Sequence, residues 1–580
     1  MECAKSRLSV REVLPCNEGL EKNLIDELNV PSFIAKMLIN RGISSVEDAK
    51  KFINPELSDL YDPFLMKGIK EGVRRITKAI EHGQSICVYG DYDTDGISGA
   101  SLLVLTLQKL GAKVKGHIPH RLKEGYGLKK ETIKKLSEEG VTLIITVDCG
   151  ITAFEEIGFA HSLGMDVIVT DHHRALAMLP PAEVIINPMQ MDCPYPFKEL
   201  AGVGVVFKLG QALTGLKNEE LLRPESHLDL VTLGTIADLV PLRSENRILV
   251  KYGLRNFANT DKVGLKALSE VAGADLNKID VNHIGYRFAP RINAGGRMGD
   301  AKKGFNLLLS RNFTEAKVIA LMLDEDNRTR QKVQREVFGQ AHSLASSIDI
   351  EKEGIIILSS REWHQGVIGI VASRLAEEYN CPAVLISVED GIGSGSSRSI
   401  RGIDIMEVLR NGADLFSSHG GHEYAAGFTI KEEKIDELKK RIKNAISKIS
   451  RDKYSHSRFI VEAELDPGEI PAEVFENWMN IFSPFGKGNP LPIFLSKNMV
   501  LIDSPQVTGS RNLRLILKGR NQSVEAIGSG MGSLTKKLEK GDYIDIIFSP
   551  RLNNSRVGLD NRVGLDDNNF QISIEDIKIQ

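Results

Sequence analysis

The sequence predicts a mixed α/β protein that ends in an all-β domain, and three observations support this fold class. Between Ile86 and Ile186, short β-branched runs alternate with amphipathic helical runs, which is the pattern of a parallel sheet covered by helices. A second and smaller α/β alternation occupies about 346–450. From Phe459 onward, short alternating segments lie between Gly, Asn and Pro turns, as in a small barrel or sandwich.

These patterns also predict where the domains begin and end. Residues 311–345 keep a helical periodicity with no Gly or Pro before Gly339, so we predict one long helix that connects the two α/β domains. The predicted order is a helical lead-in at 1–60, the first α/β domain at 61–310, the connecting helix at 311–345, the second α/β domain at 346–450 and the β domain at 451–580.

Composition narrows the class of protein but does not identify its partner. No apolar run reaches the roughly 18 residues of a membrane span, and the first residues lack the apolar region of a signal peptide, so we expect a cytoplasmic protein with no membrane contact. The six cysteines lie far apart, which argues against a disulfide framework or a zinc knuckle. A net charge of -3 excludes a globally basic nucleic-acid binder but permits a local basic groove.

The stretch VYGDYDTDG, residues 88–96, places Asp91, Asp93 and Asp95 at alternate positions between a strand-like run and a helix-like run. If the stretch is extended, all three carboxylates point to one side, where they repel one another unless a cation neutralises them or some are protonated. Solvated turn acids and a helix N-cap would explain the same residues. The stretch alone leaves both interpretations open.

The ends of other predicted strands favour a metal site. LIITVDCG ends in Asp148, and DVIVTDHH ends in Asp171, His172 and His173. Functional groups gather outside the carboxyl ends of parallel strands, so these side chains should converge on one crevice. Asp238 lies in an apolar helical pattern, where a carboxylate is costly unless it is paired or coordinated. Singly, each residue has a structural explanation, but together carboxylates and imidazoles without thiolates match Mn²⁺ or Mg²⁺.

Nine motifs in order resemble a known family. GDYDTDG, VDCG, VTDHH and GTIADLVPL are similar to the four motifs of the DHH phosphoesterase superfamily. Five later motifs narrow the resemblance to the RecJ family of single-strand-specific 5′→3′ DNA exonucleases: NPMQMDCPYPFKELAGVGVVFKL, APRINAGGRMGDA, WHQGVIGIVASRLAEEY, SSHGGHEYAAGF and SPFGKGNPLPIF. The resemblance implies a parallel-sheet DHH domain, a smaller α/β DHH-associated domain that grips nucleic acid, and a C-terminal OB fold.

The resemblance also implies a two-ion site that hydrolyses phosphodiester bonds in DNA recombination and repair. Two Mn²⁺ or Mg²⁺ ions would be held by Asp91, Asp93, Asp95, Asp148, His172 and Asp238. His173 would be a ligand or an electrostatic support beside them, so that Asp148, His172 and His173 are the implied catalytic residues. Tyr89 stands where many DHH enzymes have a histidine, which implies a thinner ligand shell for one ion.

A second group of residues is expected to bind the nucleic acid. GIGSGSSRSIRG, residues 391–402, is interpreted as a loop whose amides, hydroxyls and Arg398 suit a terminal phosphate, although an ordinary flexible Gly/Ser loop is the alternative. Arg291 and Arg297 would add a second guanidinium or form structural ion pairs. The complete expected set is Arg291, Arg297, Ser396, Arg398 and His422. Basic residues between Lys439 and Lys453 either follow the strand or form a solvated helix face.

The resemblance implies single-stranded DNA as the substrate, a helicase and a single-strand-binding protein as partners, and a monomeric chain. Two other functions are compatible with the motifs. The first is hydrolysis of pyrophosphate, cyclic dinucleotides or short oligonucleotides, which would not need the β domain or the long helix. The second is a non-catalytic replication scaffold, which the intact acids and histidines argue against.

Overall fold

The computed structural model describes residues 12–13, 17–121, 124–175, 177–215, 224–449, 460–509, 511–550 and 571–580. The predicted fold class is confirmed, with a five-stranded parallel sheet, a five-stranded mixed sheet, a long helix between them and a C-terminal barrel. The short repeat RVGLDNRVGLD at 556–566, which the sequence suggests is a hairpin tip, lies outside the described residues. Within the described ranges, every helix is too short or too polar to cross a bilayer.

The N-terminal elements are a two-residue strand and three helices: β1 (Glu12–Val13), α1 (Glu18–Leu28), α2 (Ser32–Asn40) and α3 (Val46–Ile53). They pack against the C-terminal β unit, because Phe33 of α2 contacts the rings of Phe475 and Phe494. One buried cluster contains residues of the three helices and of that unit. The N-terminal helices and the C-terminal unit thus share one hydrophobic core, a contact that the sequence did not predict.

The first α/β unit has five parallel strands in the order β3-β2-β4-β5-β6. These strands are β2 (Ser85–Gly90), β3 (Lys113–His117), β4 (Leu143–Val147), β5 (Asp166–Thr170) and β6 (Val184–Ile186). Its helices are α4 (Ile69–Glu81), α5 (Thr94–Lys109), α6 (Lys130–Glu138), α7 (Phe154–Ser162), α8 (Gly202–Gly215), α9 (Leu228–Ala237), α10 (Ser244–Ala258), α11 (Val263–Ala272), α12 (Val281–His283), α13 (Ala289–Met298) and α14 (Lys302–Leu309). Helices cover both faces, which explains why every residue of β4 is buried and four of the five are apolar.

The long helix α15 (Phe313–Ala345) begins at Asn312, whose side chain accepts hydrogen bonds from Thr314 N and Glu315 N. It leads to the second α/β unit, whose strand order is β10-β11-β9-β8-β7. That unit contains α16 (Ile350–Glu353), β7 (Ile356–Ser360), α17 (Gln365–Tyr379), β8 (Ala383–Glu389), β9 (Ile392–Arg398), α18 (Ile405–Arg410), β10 (Phe416–His422), β11 (Ala425–Lys431) and α19 (Ile435–Ile446).

The expectation of a loop at 391–402 is wrong, because Ile392–Arg398 forms strand β9 in the interior of this sheet. Gly393 and Gly395 are in register with residues of both β8 and β11, so their backbone groups belong to the sheet ladders. A Cβ at Gly395 would lie 2.1 Å from the Phe428 ring. The small residues therefore make room for an aromatic ring, and tertiary packing overrides their turn propensity.

The C-terminal unit is a closed barrel with one helix. Its elements are β12 (Ile460–Val461), β13 (Ala463–Glu464), α20 (Ala472–Phe482), β14 (Phe494–Leu501), β15 (Gln506–Thr508), β16 (Asn512–Lys518), β17 (Ser523–Gly528), β18 (Tyr543–Pro550) and β19 (Gln571–Ile579). The strands follow the order β13-β14-β18-β19-β17-β16-β15, and an additional pairing of β14 with β16 closes the ring. Closure removes the free edges of five strands, as expected of an OB fold.

Candidate metal centre and phosphate pocket

The aspartate-rich stretch turns from β2 into α5, so it is not extended, and of the two interpretations that the sequence left open the helix N-cap applies to Asp93. Asp93 is the N-cap of α5, and its Oδ1 accepts hydrogen bonds from Asp95 N (2.9 Å) and Gly96 N (3.1 Å). A Cβ at Gly96 would lie 2.6 Å from Asp91 N, so the turn requires glycine. Ligand atoms of Asp91, Asp93 and Asp148 nevertheless lie within 4.8 Å of one another.

Asp95 points away from the other two aspartates of this stretch, towards the start of α8. Its Oδ2 accepts from Gly202 N at 2.7 Å and its Oδ1 from Val203 N at 2.9 Å. Burial, and then the nearby Asp238 carboxylate, raise the pKa of Asp95 to about 7. Asp95 also forms a potential ligand group with His172 and Asp238, within 4.8 Å.

His172 lies between two carboxylates at the carboxyl end of the parallel sheet. Its Nε2 is 3.1 Å from Asp148 Oδ1 and 3.6 Å from Asp238 Oδ2. Asp148, His172 and His173 form a third potential ligand group with atoms within 4.8 Å. The strand ends and α9 thus bring all seven residues expected at the metal site into three overlapping clusters.

The residues present fit divalent cations. Among the described residues, Asp91 Oδ1 is buried without a hydrogen-bond partner, and Asp148 Oδ1 and His172 Nε2 are buried and form no hydrogen bond although they lie 3.1 Å apart. Burial, reinforced by neighbouring carboxylates, raises the pKa of Asp91 and of Asp148 well above the usual value. Buried polar atoms are normally satisfied, and oxygen donors with one imidazole suit Mn²⁺ or Mg²⁺. A bound cation would remove both the unsatisfied atoms and the repulsion.

Asp171 orients the two histidines. Its Oδ1 accepts hydrogen bonds from the backbone N–H of His172 (2.8 Å) and of His173 (3.1 Å), and its Oδ2 accepts from Ile151 N (3.0 Å). The same Oδ1 lies 2.8 Å from His173 Nδ1. Burial opposes the charged form of His173, but this hydrogen bond and the charge of Asp171 outweigh burial and raise the pKa of His173 to about 9. Asp171 therefore determines the position of the DHH segment.

The backbone at Asp148 is in the left-handed region, with φ 62°, which is uncommon for a residue other than glycine. A Cβ at Gly202 would lie 2.8 Å from Asp148 Cβ, so the start of α8 confines this side chain. Cys149 points into the opposite core, with its Sγ 3.8 Å from Tyr89 O. Tyr89 is also buried there, and its hydroxyl donates to Gly127 O at 3.2 Å. Tyr89 therefore does not supply the metal ligand that a histidine at this position would supply.

Four arginines form a second cluster beside the carboxylates, and each comes from a different element: the segment after β3 (Arg121), α13 (Arg297), α15 (Arg330) and β9 (Arg398). Burial, and then the charges of the other three arginines, lower the pKa of Arg297 to about 9. Arg297 Nη1 donates to Gly366 O at 3.1 Å. Arg398 Nη1 donates to Ser396 Oγ at 3.1 Å. Such a group of like charges is suited to an anion.

Arg121 and Arg330 were missed by the sequence analysis, because an isolated arginine outside any motif carries no signal. The Arg121 guanidinium lies 4.9 Å from the centroid of the Tyr92 ring. Arg330 donates to Asn327 Oδ1 at 2.8 Å and to Gln334 Oε1 at 3.0 Å. Only the folded chain brings these two residues to Arg297.

Two further residues expected to bind nucleic acid have different surroundings. Arg291 is in the ion pair that the sequence left open, because its Nε and Nη2 each lie 2.9 Å from Asp324 Oδ1. His422 is exposed at the end of β10. Its pKa is lowered by partial burial and then by the positive charges of Arg398 and Lys487, so it borders the arginine cluster.

Carboxylates neutralise several basic residues elsewhere. On α19, Lys439 pairs with Asp436, Arg441 with Asp414 and Glu437, and Lys443 with Glu353. On the barrel, Arg514 pairs with Glu525 and Arg520 with Glu469. Arg451 and Lys453 lie outside the described residues. The pairing favours a solvated helix face for the basic run.

Comparisons with known proteins agree with this architecture. The DHH family, N-terminal domain, matches residues 85–235, the DHHA1 domain matches 352–448, and the RecJ OB domain matches 461–558. Single-stranded-DNA-specific exonuclease RecJ of Bacillus subtilis (strain 168) is 38% identical over 539 residues, which is 92% of this chain and 67% of the relative. RecJ of Escherichia coli (strain K12) is 33% identical over 521 residues, 86% of this chain and 88% of the relative. This chain belongs to the RecJ family.

Solved RecJ structures have the same fold as this chain. RecJ from Thermus thermophilus in complex with Mn²⁺ superposes with a TM-score of 0.82 and 30% identity, over 99% of this chain and 80% of the other. The Mg²⁺ complex of RecJ from the same organism has a TM-score of 0.76 and 28% identity, over 98% and 77% of the two chains. The resemblance and the Mn²⁺ or Mg²⁺ cofactor that it implied are confirmed.

Proposed function

We propose that this protein removes nucleotides from the 5′ end of single-stranded DNA, with the carboxylate cluster as its metal centre and the arginine cluster as its terminal-phosphate pocket. As a RecJ-family member it is a metal-dependent exonuclease specific for single-stranded DNA, and roles in DNA recombination and repair fit this family. The observation that carries the residue assignment is the proximity of two clusters of opposite charge, since the charge of Arg121 acts on Asp91 and that of Asp93 acts on Arg297. One cluster needs cations, and the other needs an anion.

In this proposal the metal ligands fall into two groups. Asp91, Asp93 and Asp148 hold one ion, whereas Asp95, His172 and Asp238 hold the other, because each trio has ligand atoms within 4.8 Å. Bound Mn²⁺ or Mg²⁺ supplies Lewis-acid stabilisation of the phosphoryl oxygens and lowers the pKa of water. His172 lies 3.1 Å from Asp148, so it holds the two groups together.

His173 is assigned a role in proton transfer. Its Nδ1 is engaged by Asp171 at 2.8 Å, which leaves Nε2 to hold or release a proton near the cleaved bond. The Tyr126 hydroxyl donates to Asp148 O at 3.2 Å and lies 3.5 Å from His173 Nδ1, so it limits the movement of the imidazole.

The arginine cluster explains the proposed polarity of digestion. Arg398 and Ser396 come from the second α/β unit, and Arg297 comes from the first. A 5′-terminal phosphate carries more charge than an internal phosphodiester and gains more from several guanidinium groups. Binding of that end beside the metal centre places the first phosphodiester bond at the ions.

In this proposal the strand also passes between the two α/β units, a path that an unpaired strand can follow and a duplex cannot. We propose a monomer, located in the cytoplasm, that depends on a helicase for unpaired 5′ ends and works with a single-strand-binding protein. These assignments rest on the family resemblance. Sedimentation of the purified chain tests the first of them.

The decisive test compares five substrates with Mn²⁺ and with a chelator: a single strand with a 5′-phosphate, the same strand with a 5′-hydroxyl, a strand blocked at its 5′ end, a blunt duplex and a duplex with a 5′ overhang. We expect the 5′-phosphorylated strand to be digested fastest and the overhang to be resected from its 5′ end. The blocked strand and the blunt duplex should resist. Digestion of blunt duplex at the single-strand rate, or from 3′ ends, would contradict the proposal.

A further inference from the structure

A cavity of about 440 Å³ lies beside Asp238, between α9, α13, α15, α17 and the segment that joins α20 to β14. Its described lining includes three basic residues, Arg297, Arg330 and Lys487, and no carboxylate. The whole chain, in contrast, has a net charge of -3. A local excess of three positive charges on an acidic protein indicates an anionic occupant.

Lys487 comes from the C-terminal unit, and the backbone holds it against the first α/β unit. Leu242 N donates to Lys487 O at 2.6 Å. A Cβ at Gly486 would lie 2.8 Å from Leu242, and one at Gly488 would lie 2.7 Å from Pro241. Only glycines on either side permit this approach, since Gly488 also has φ 77°. The segment following Asp238 and the segment carrying Lys487 are therefore in close contact.

Asn489 makes this segment rigid. Its Nδ2 donates to Phe482 O and Pro484 O, both at 2.8 Å, and its Oδ1 accepts from Arg41 Nε at 2.8 Å. Asn489 is 2% exposed, so these bonds are shielded from water. The Lys487 side chain, in contrast, is exposed and forms no ion pair with any described residue, although its charge acts on the nearby Asp238 carboxylate. A rigid backbone thus presents an uncommitted ammonium group.

Two large apolar side chains border the same cavity. Tyr286 is 77% exposed and Leu239 is 67% exposed. Leu239 has φ 59°, an uncommon conformation for a residue with a branched side chain, and it directly follows Asp238. An exposed aromatic ring near unpaired cations is the combination that binds a base and its phosphate.

We propose that this cavity holds one internal nucleotide of the substrate strand, with Lys487 contacting a backbone phosphate and Tyr286 contacting the base. The inference rests on the proposed function and extends it, because it makes the C-terminal unit part of the substrate path beside the metal centre. A free mononucleotide has the same chemistry. The strand is the better occupant because Arg297 lines this cavity and also belongs to the arginine cluster, so the two sites are contiguous.

The experiment compares wild type with Lys487→Gln and Tyr286→Ala on 5′-phosphorylated strands of 2 to 20 nucleotides. Binding is measured over a range of salt concentrations, and kcat/KM is measured with Mn²⁺. For Lys487→Gln we expect the slope of log K against log salt to fall by about 0.7 on long strands, the value for one phosphate contact on single-stranded DNA. Loss of base stacking in Tyr286→Ala should weaken long-strand binding about 5- to 150-fold, and Tyr286→Phe should restore it.

Lys497→Gln is the matched control, because Lys497 lies in the same unit but pairs with Glu464 at 2.7 Å. It should leave the salt slope unchanged. The loss of affinity in Lys487→Gln should grow with strand length, whereas a wild-type chain that digests no strand of any length would contradict the proposed function instead. Unchanged slopes, or equal losses at every strand length, would overturn the inference. A second outcome would also overturn the inference. If Lys487→Gln weakened the binding of dAMP but not that of long strands, the cavity would be a site for a free nucleotide.

Discussion

The carboxylate cluster and the arginine cluster are neighbours, but the chain assembles them differently. All the carboxylates and histidines of the first come from the strand ends and helices of one α/β unit. The arginines of the second come from two elements of that unit, from the connecting helix and from the second unit. Metal binding is therefore local to one unit, whereas recognition of the strand end depends on the placement of two units. Hydrolysis and end preference should be separable by mutation.

The largest effect should follow the removal of a metal ligand. We expect Asp148→Ala to lower turnover on the order of 10³-fold or more, because Asp148 belongs to two of the three ligand groups. Binding of a 5′-phosphorylated strand should be largely retained, since the arginines remain. Nuclease rates and Mn²⁺ titrations check both statements, with exposed Asp26→Ala on α1 as a control. Near-normal turnover in Asp148→Ala would contradict the assignment of the carboxylate cluster as the metal centre.

The second effect tests the arginine cluster. Arg398→Gln should reduce the preference for a 5′-phosphate over a 5′-hydroxyl end by roughly 10- to 150-fold, as expected for a charged hydrogen bond of about 1.5–3 kcal/mol. Arg291→Gln is the matched control, because Arg291 pairs with Asp324. It should lower the melting temperature and leave the end preference unchanged. If Arg398→Gln lowered the affinity for 5′-phosphate and 5′-hydroxyl strands by the same factor, the arginine cluster would have another role.

A smaller effect concerns the stability of the metal-free protein. The pKa of Asp95 is about 7 in the folded chain, above the ordinary value of 3.8, so folding favours the protonated carboxyl. This contribution is complete below about pH 4 and is lost as the pH rises through 7. The raised pKa of His173, about 9, acts in the same direction at higher pH. With a chelator, the melting temperature should therefore fall between pH 5 and pH 8.

Mn²⁺ should reverse this trend, because it binds the deprotonated ligands and stabilises the folded state more at pH 8 than at pH 5. Asp95→Asn should flatten the metal-free profile. A melting temperature that rises with pH in the presence of the chelator would contradict the assignment of a strained, uncompensated carboxylate cluster.

The smallest effect is expected on the basic surface of α19. Lys443 pairs with Glu353, so Lys443→Gln should change neither the affinity for single-stranded DNA nor its salt dependence. A lower salt slope in this variant would extend the substrate path to α19. This result tests whether the surface that binds DNA is defined by basic residues without a carboxylate partner, and not by basic residues in general.

The sequence by itself determined the fold class and the types of residue at the metal centre. Alternating strand and helix patterns are local, and the carboxyl ends of parallel strands meet at one edge, so the pattern alone predicts that Asp148 and His172 lie together. The turn at Asp93 was less predictable, because an N-cap and an extended strand use the same residues. The pattern therefore indicated the ligands but not their grouping.

Only the tertiary structure decided which cations remain available for the substrate. Arginine and lysine carry the same charge wherever they occur, and the chain's folded contacts determine whether a carboxylate neutralises it. Arg291 is paired, whereas Arg121, Arg297 and Arg398 meet across two units, and Lys487 arrives from a third. Packing likewise made β9 a strand, since Phe428 occupies the space above Gly395. These outcomes depend on contacts between residues far apart in the chain, which no local pattern records.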